Sequence, residues 1–87
     1  MIISGTTKPL FNIYAKVSQT DLSLSDIKEK GNIFNINTDI ECNVEVISEE
    51  KKEVKISLNV PIVVEEGIEF DIKNGNTIIA KAIIVER

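Results

Sequence analysis

Four carboxylates lie close together in the second half of this sequence, Glu65 and Glu66 as a pair and Glu69 and Asp71 two residues apart. Carboxylate oxygens are the ligands that Ca²⁺ and Mg²⁺ prefer in proteins. Glu69 and Asp71, however, alternate with apolar residues, which places them on the outer face of a predicted strand. Charged side chains on such a face are normally solvated, so we predict no metal site here.

Cys42 carries the one thiol of the chain, and the sequence contains no histidine that could activate it. Catalytic thiols and hydroxyls usually need an adjacent base. Cys42 follows the apolar alternation of Ile40 and Val44, so we predict a buried, inert thiol. A single cysteine excludes an intramolecular disulfide and a cysteine-based zinc site, and it is typical of a reducing cytoplasm. We expect no catalytic residues, no cofactor and no enzyme activity.

Two lysine pairs are the candidates for contact with nucleic acid. Lys28 and Lys30 flank a glutamate, and Lys51 and Lys52 are also bordered by glutamates. The chain has 10 basic and 14 acidic residues, a net charge of −4, whereas nucleic-acid-binding proteins generally concentrate positive charge on one face. We therefore interpret both pairs as solvated turn charges.

Apolar residues alternate with polar ones along most of the 87-residue chain, and isoleucine and valine dominate the apolar set. Alternation at a period of two is typical of half-buried strands, which β-branched residues favour. The predicted strands cover residues 10–17, 32–36, 40–47, 53–60, 68–73 and 76–87. Within the first, third and fourth of these, the predicted inward-facing residues are Phe11, Ile13, Ala15, Val17, Ile40, Cys42, Val44, Val46, Val54, Ile56, Leu58 and Val60.

Three segments carry turn signals between these strands. Gly67 is expected at positive φ in a turn at 65–67, and Asn74-Gly75 predicts a type I′ hairpin. Pro61 lacks a backbone donor, so it predicts a strand end, an edge or a bulge.

Residues 18–31 form the one segment without a clear strand pattern. Ser23 or Ser25 is suited to cap a single helical turn, and Gly31 is suited to end it. Leu22, Leu24 and Ile27 are expected to anchor this connector to the body of the protein.

About six short strands joined mostly by tight turns predict an all-β fold, a small antiparallel six-stranded β-barrel with residues 1–87 as a single domain. A barrel removes the edge strands that a small isoleucine-rich sheet would otherwise expose. The last strand is apolar on both faces, with Ile78, Ala80, Ala82 and Ile84 on one of them. Such a strand is usually covered on both sides or pairs with a partner.

The N-terminal residues 1–7 are expected to form a short lead-in or an edge strand, and they do not resemble a secretory signal peptide. No apolar run reaches the ~20 residues that a membrane-spanning helix needs. We expect a cytoplasmic protein with no membrane partner.

Four segments, in order, resemble a known barrel: GNIFNINT at 31–38, VKISLNVPI at 54–62, EEGIEFDI at 65–72 and NGNTIIA at 74–80. They are similar to the C-terminal β-barrel, domain III, of the translation GTPases related to elongation factor Tu. The similarity is greatest to the branch that holds the archaeal selenocysteine factor and the gamma subunit of initiation factor 2, and it is stronger across 53–87 than across 8–50.

This resemblance implies a barrel of the domain III type and a non-enzymatic binding module that acts through protein–protein contacts, with a link to translation. The expected partner is another protein or a second copy of the chain, which would cover the apolar terminal strand. Two alternatives follow from the same resemblance: a module associated with RNA, tRNA or the ribosome, and a detached C-terminal domain of a larger translation GTPase. The chain has no GTPase domain, so we expect no GTP binding.

Overall fold

The computed structural model describes residues 9–85, which form six strands and one short helix. The elements are β1 Leu10–Thr20, α1 Leu24–Lys30, β2 Ile33–Asn35, β3 Asp39–Ser48, β4 Glu53–Ile62, β5 Glu69–Asn74 and β6 Thr77–Ile84. The predicted all-β class is confirmed. The expectation for the N-terminal lead-in lies outside the described residues.

The six strands form a closed antiparallel barrel in the order β1-β4-β3-β2-β5-β6, with β6 pairing back onto β1. The closure of the barrel is visible at Ala15, which pairs with Val54 of β4 on one side and with Ile84 of β6 on the other. Every strand therefore has two neighbours, and the sheet has no free edge. The predicted six-stranded barrel is confirmed.

The inward face of each strand supplies the core, as the period-two alternation predicts. Phe34 and Phe70 lie side by side in this core, with ring centroids 4.6 Å apart. No polar or charged residue is buried anywhere between residues 9 and 85. The buried apolar residues are Ile13, Ala15, Val17, Leu24, Ile27, Phe34, Ile40, Cys42, Val44, Val54, Ile56, Leu58, Val64, Phe70, Ile72, Ala80, Ala82 and Ile84.

A bulge in β4 interrupts this alternation near the end of the strand. Between two consecutive pairings, β1 advances from Leu10 to Asn12 while β4 runs from Ser57 to Ile62. Pro61 lies inside this irregularity, which confirms one of the positions predicted for it and matches its missing backbone donor. The inward position predicted for Val60 is wrong, because the bulge turns its side chain out and leaves it 46% exposed.

Two further residues differ from regular alternation: Ile78, grouped with Ala80, Ala82 and Ile84 on one face of the last strand, does not share their burial, and the inward position predicted for Phe11 is wrong. Ile78 is 52% exposed, since the register between β5 and β6 shifts next to it, between the pairs Ile72–Ala80 and Lys73–Ile78. Phe11 is 54% exposed and lies opposite the β4 bulge, where the regular pairing of β1 is interrupted. Val46 differs only in degree, being half-buried against the core.

Helix α1 closes the end of the barrel at which β1 finishes and β2 begins. The Ser23 hydroxyl accepts a hydrogen bond from the Asp26 N–H, which confirms Ser23 as the N-cap. Leu24 and Ile27 are buried, and Leu22 packs beside them, as predicted. With seven residues the helix is longer than the single turn expected, because burial of its apolar side adds to a weak local preference.

Gly31 ends α1, and its N–H donates to the Ile27 carbonyl oxygen at 2.7 Å. Its φ of −71° is not left-handed, so backbone freedom does not explain the glycine. The lack of space for a side chain explains it, because a Cβ at this position would lie 2.8 Å from both the Ile27 oxygen and Ile72 Cγ2. Gly31 thus lets the helix end pack directly against the core.

The two predicted glycine turns are both present, one of them with a different geometry. Gly67 has a φ of 91°, as expected. In the β5–β6 hairpin, Asn74 pairs with Thr77, so the central residues are Gly75 and Asn76. Only the first of these has a positive φ, 60° at Gly75. The predicted type I′ turn is therefore wrong, and the pattern is that of a type II′ turn.

The connection between β4 and β5 closes the other end of the barrel, since these two strands are not neighbours in the sheet. Val64 of this connection is buried in the core. The Gly67 N–H donates to the Ile84 carbonyl oxygen at 2.8 Å, and the Ile84 N–H donates to the Ile68 oxygen at 2.9 Å. Both ends of the barrel are therefore filled by side chains.

We expect Gly31→Ala to lower the free energy of unfolding by about 2 kcal/mol, because the new methyl group overpacks the site where α1 meets the barrel. Urea unfolding followed by circular dichroism measures this change. Ser25→Ala, on the exposed side of the same helix, is the matched control and should stay within about 0.5 kcal/mol of the parent. Equal stability of the two variants would contradict the steric role of Gly31.

Candidate functional site

The thiol of Cys42 points into the barrel from β3 and is buried, as predicted. Burial disfavours the thiolate and raises the pKa of Cys42 from its ordinary value of 9.0 to about 11. Reactive cysteines have the opposite character, with a lowered pKa and partial exposure. Cys42 therefore contributes to packing.

The four carboxylates considered for metal binding do not converge. Glu65, Glu66 and Glu69 are exposed, and Asp71 is half-buried on the outer side of β5. Across residues 9–85, no three side chains of the His, Cys, Asp or Glu type are grouped so that they could hold a metal ion. The three exposed glutamates instead surround the β4–β5 connection at one end of the barrel.

Asp39 connects the start of β3 to its neighbour β2 and to β5, which lies on the far side of β2. Its carboxylate accepts a hydrogen bond from the Asn35 side chain and pairs with Lys73 Nζ at 3.1 Å. The Asn35 hydrogen bond, and after it Lys73, keeps the pKa of Asp39 below its usual value. These contacts fix the bend at residues 36–38, where Ile36 is exposed.

Three lysines from separate segments meet at a surface cleft of about 490 Å³, formed by β1, the β3–β4 hairpin and β6. They are Lys16, Lys51 and Lys52, with Glu50 beside them. The Lys52 carbonyl oxygen accepts a hydrogen bond from the Val17 N–H at 2.8 Å, which holds the hairpin against β1. Lys28 and Lys30 are exposed on α1 and do not line this cleft. No local sequence pattern indicates that Lys16 lies beside the hairpin lysines.

A second surface cleft, of about 360 Å³, lies across β2, β3 and β4, and half of its lining residues carry amide or hydroxyl side chains. Several of its polar side chains already take part in hydrogen bonds. Ser57 Oγ donates to Asn12 Oδ1 at 3.2 Å, and Asn59 Nδ2 donates to Glu41 Oε1 at 3.1 Å. Glu41 is the one titratable carboxylate among the lining residues, so the cleft lacks an acid–base pair.

Exposed apolar side chains concentrate where β1 begins and β4 ends. Leu10 pairs with Ile62, and this pair brings Phe11 and Val63 to the same end of the barrel. Phe11 is 54% and Val63 is 55% exposed. We call Leu10, Phe11, Val60 and Val63 the apolar end surface; Ile36, also exposed, follows β2 at this end.

This location differs from the one that the sequence suggested. The outer face of the terminal strand β6 was expected to need covering, yet Ile79 is packed against the core and Ile83 is half-buried. The sequence signal that could have located the apolar end surface is the apolar run around Pro61. A proline-containing bulge exposes some members of such a run.

No protein-family model matches the chain, and no curated protein matches it either. No helix among residues 9–85 is long and apolar enough to cross a membrane.

We expect Cys42 to react slowly with a thiol reagent such as DTNB in the folded protein. Raising a thiol pKa by about two units lowers its thiolate fraction about a hundredfold near neutral pH, and burial adds a barrier to access. The rate should rise about tenfold per pH unit until the pH approaches the pKa of the thiol. The same protein in guanidinium chloride is the control; equally fast labelling of the folded protein would contradict burial.

Proposed function

We propose that this chain is a non-enzymatic binding module of the translation-factor domain III type, which acts in the cytoplasm through contact with another protein. The observation that carries the proposal is the apolar end surface. Phe11 and Val63 are the most exposed members of this surface, at 54% and 55%.

Burial against a partner would make these side chains favourable contacts. Covering an apolar side chain such as valine or phenylalanine is worth roughly 1.5–3 kcal/mol. Large contiguous apolar patches on soluble proteins commonly mark interaction sites. An aromatic ring at the centre of such an area is typical of the residues that dominate binding energy.

The link to translation is supported by two agreeing features. The motif order at 31–38, 54–62, 65–72 and 74–80 is similar to that of domain III of the elongation factor Tu class, and the chain is a six-stranded antiparallel barrel. A fold alone does not determine function. The link to translation is therefore a more specific claim than the role as a binding module. A cytoplasmic location agrees with the single unpaired thiol of Cys42.

Two alternatives remain from the same resemblance. An RNA- or tRNA-associated role is favoured by the cleft that Lys16, Lys51 and Lys52 line together. A detached C-terminal domain of a larger translation GTPase would instead use the apolar end surface to contact the GTPase domain. The genes beside the one that encodes this chain distinguish the second alternative from a free-standing module.

The double variant Phe11→Ser/Val63→Ser should lose its protein partner, because it replaces the two most exposed apolar side chains of the apolar end surface. Affinity capture from the protein's own cell extract, with cross-linking and mass spectrometry, measures recovery. The parent and Ile78→Ser, which changes an equally exposed apolar residue at the opposite end, should both recover the partner. Since the changed side chains are exposed, thermal unfolding should be nearly unchanged.

A partner recovered equally with all three proteins would show that the apolar end surface is not the binding site. If the parent and Ile78→Ser recover no protein in common from the extract, the proposed function itself is contradicted.

The RNA alternative has its own test. It requires the parent to retain tRNA on a nitrocellulose filter at low salt and to release it as salt rises, since phosphate contacts are salt-dependent. Lys16→Gln/Lys51→Gln should then weaken retention, whereas Lys28→Gln/Lys30→Gln should not. We expect no retention, because Glu50 shares the cleft with the lysines and the chain carries a net charge of −4.

A further inference from the structure

Asn74 ends β5, Gly75 begins the turn to β6, and no other asparagine of the chain is followed by glycine. We infer that Asn74 is a modification site, at which the side-chain amide converts spontaneously to a carboxylate, and that contacts with the end of α1 control the rate of this conversion. The inference goes beyond the proposed function and does not depend on the apolar end surface.

The reaction is deamidation, in which the backbone nitrogen of the next residue attacks the asparagine side chain. The Gly75 nitrogen gives up its proton and bonds to Asn74 Cγ, and the bond from Cγ to Nδ2 breaks, so the amide nitrogen leaves as ammonia. Water then opens the cyclic imide at either carbonyl, which produces aspartate or isoaspartate. Glycine at the following position permits the closest approach, because it has no Cβ to obstruct the nitrogen.

In the folded chain, hydrogen bonds hold both reacting groups. The Gly75 N–H donates to Asn32 Oδ1 at 3.2 Å, and Asn74 Nδ2 donates to the Lys30 carbonyl oxygen at 2.7 Å. Asn74 also pairs with Thr77 in the β5–β6 ladder, which keeps its backbone extended. Since the nitrogen must leave its acceptor and lose its proton before it attacks, the reaction requires a local opening of this corner.

The backbone of Asn32 is itself fixed between two strands. Its N–H donates to the Lys73 carbonyl oxygen of β5, and its own carbonyl oxygen accepts from the Cys42 N–H of β3, both at 3.0 Å. The side-chain oxygen of Asn32 therefore stays within reach of Gly75. The fold thus places the segment that follows α1 against the reactive hairpin.

Conversion releases the contact that holds α1 to the hairpin. The Lys30 carbonyl belongs to the last turn of α1, where carbonyls lack intrahelical partners, and Asn74 Nδ2 supplies the donor. A carboxylate at position 74 would offer only acceptors, and the partial negative charge of the helix end would repel it. Because α1 carries the buried Leu24 and Ile27, the modification loosens the element that fills this end of the barrel.

Rates of conversion in the full chain test the control by α1. The parent is incubated in mildly alkaline buffer, and peptide mass spectrometry follows aspartate and isoaspartate at each asparagine. We expect Asn74 to convert first, and at least about tenfold more slowly in the folded chain than in guanidinium chloride, because only the open corner reacts. Asn76, in the same hairpin but followed by threonine, is the internal control and should remain an amide.

Two variants at position 32 isolate the hydrogen bond to Gly75. Asn32→Ala removes the acceptor and should speed the conversion of Asn74 about fivefold, the factor expected for loss of one ordinary hydrogen bond. Asn32→Asp keeps an oxygen acceptor at this position and should be no faster than the parent. Circular dichroism checks that each variant is folded.

Asn74→Asp tests the effect of the product on α1. Hydrogen exchange followed by mass spectrometry should be at least about fivefold faster across residues 24–31 than in the parent, with the core amides of β3 and β4 unchanged. Asn76→Asp adds the same charge to the same hairpin and is the matched control. It should leave exchange in α1 close to that of the parent.

Equal rates in the folded and denatured parent, earlier conversion of another asparagine, or an Asn32→Ala rate no higher than that of the parent would overturn the control by α1. Acceleration of every asparagine together in Asn32→Ala would also overturn it, because that pattern indicates general unfolding. Equal exchange of α1 in Asn74→Asp and Asn76→Asp would overturn the release of the helix.

Discussion

The barrel depends on β1, which pairs with β4 along its first part and with β6 along its second. Ala15 and Lys16 pair on both sides. Without these pairs β4 and β6 would both be free edges, which small apolar sheets tolerate poorly. Closure also sets where the ends must be filled, because staggered strands leave an opening at each end. Helix α1 fills one opening with Leu24 and Ile27, and the β4–β5 connection fills the other with Val64.

Much of this fold could be predicted from the sequence because its signals are local. The alternation in β3 and β4 identifies the inward face wherever the strand is regular, as Val44, Val54 and Ile56 show. The turn at Gly67 and the Ser23 cap each depend on residues a few positions apart. Such features need no knowledge of which strand lies beside which, and the barrel then follows as the arrangement that covers every strand edge.

The features that were missed depend on pairing between distant segments. Val60 and Ile78 face outward because of register shifts, which no single strand reveals. The need for glycine at position 31 comes from the approach of Ile72, forty-one residues further along the chain. The candidate surface was missed for the same reason. Phe11 and Val63 are joined only by the pairing of Leu10 with Ile62, so their common location is a property of the closed barrel.

The bulge in β4 connects the fold to recognition. Regular alternation would direct Val60 into the core, and a free strand edge would offer backbone groups for pairing with an added strand. The described barrel has neither, since the bulge turns Val60 outward and closure leaves no edge. In the described residues the proposed binding module would therefore present side chains, not a strand edge, to a partner. At the apolar end, the exposed Phe11 and Val63 are accompanied by Glu65 and Glu66, which follow Val63 along the chain and are also exposed. For the binding module proposed above, apolar contact at these side chains would be the source of affinity.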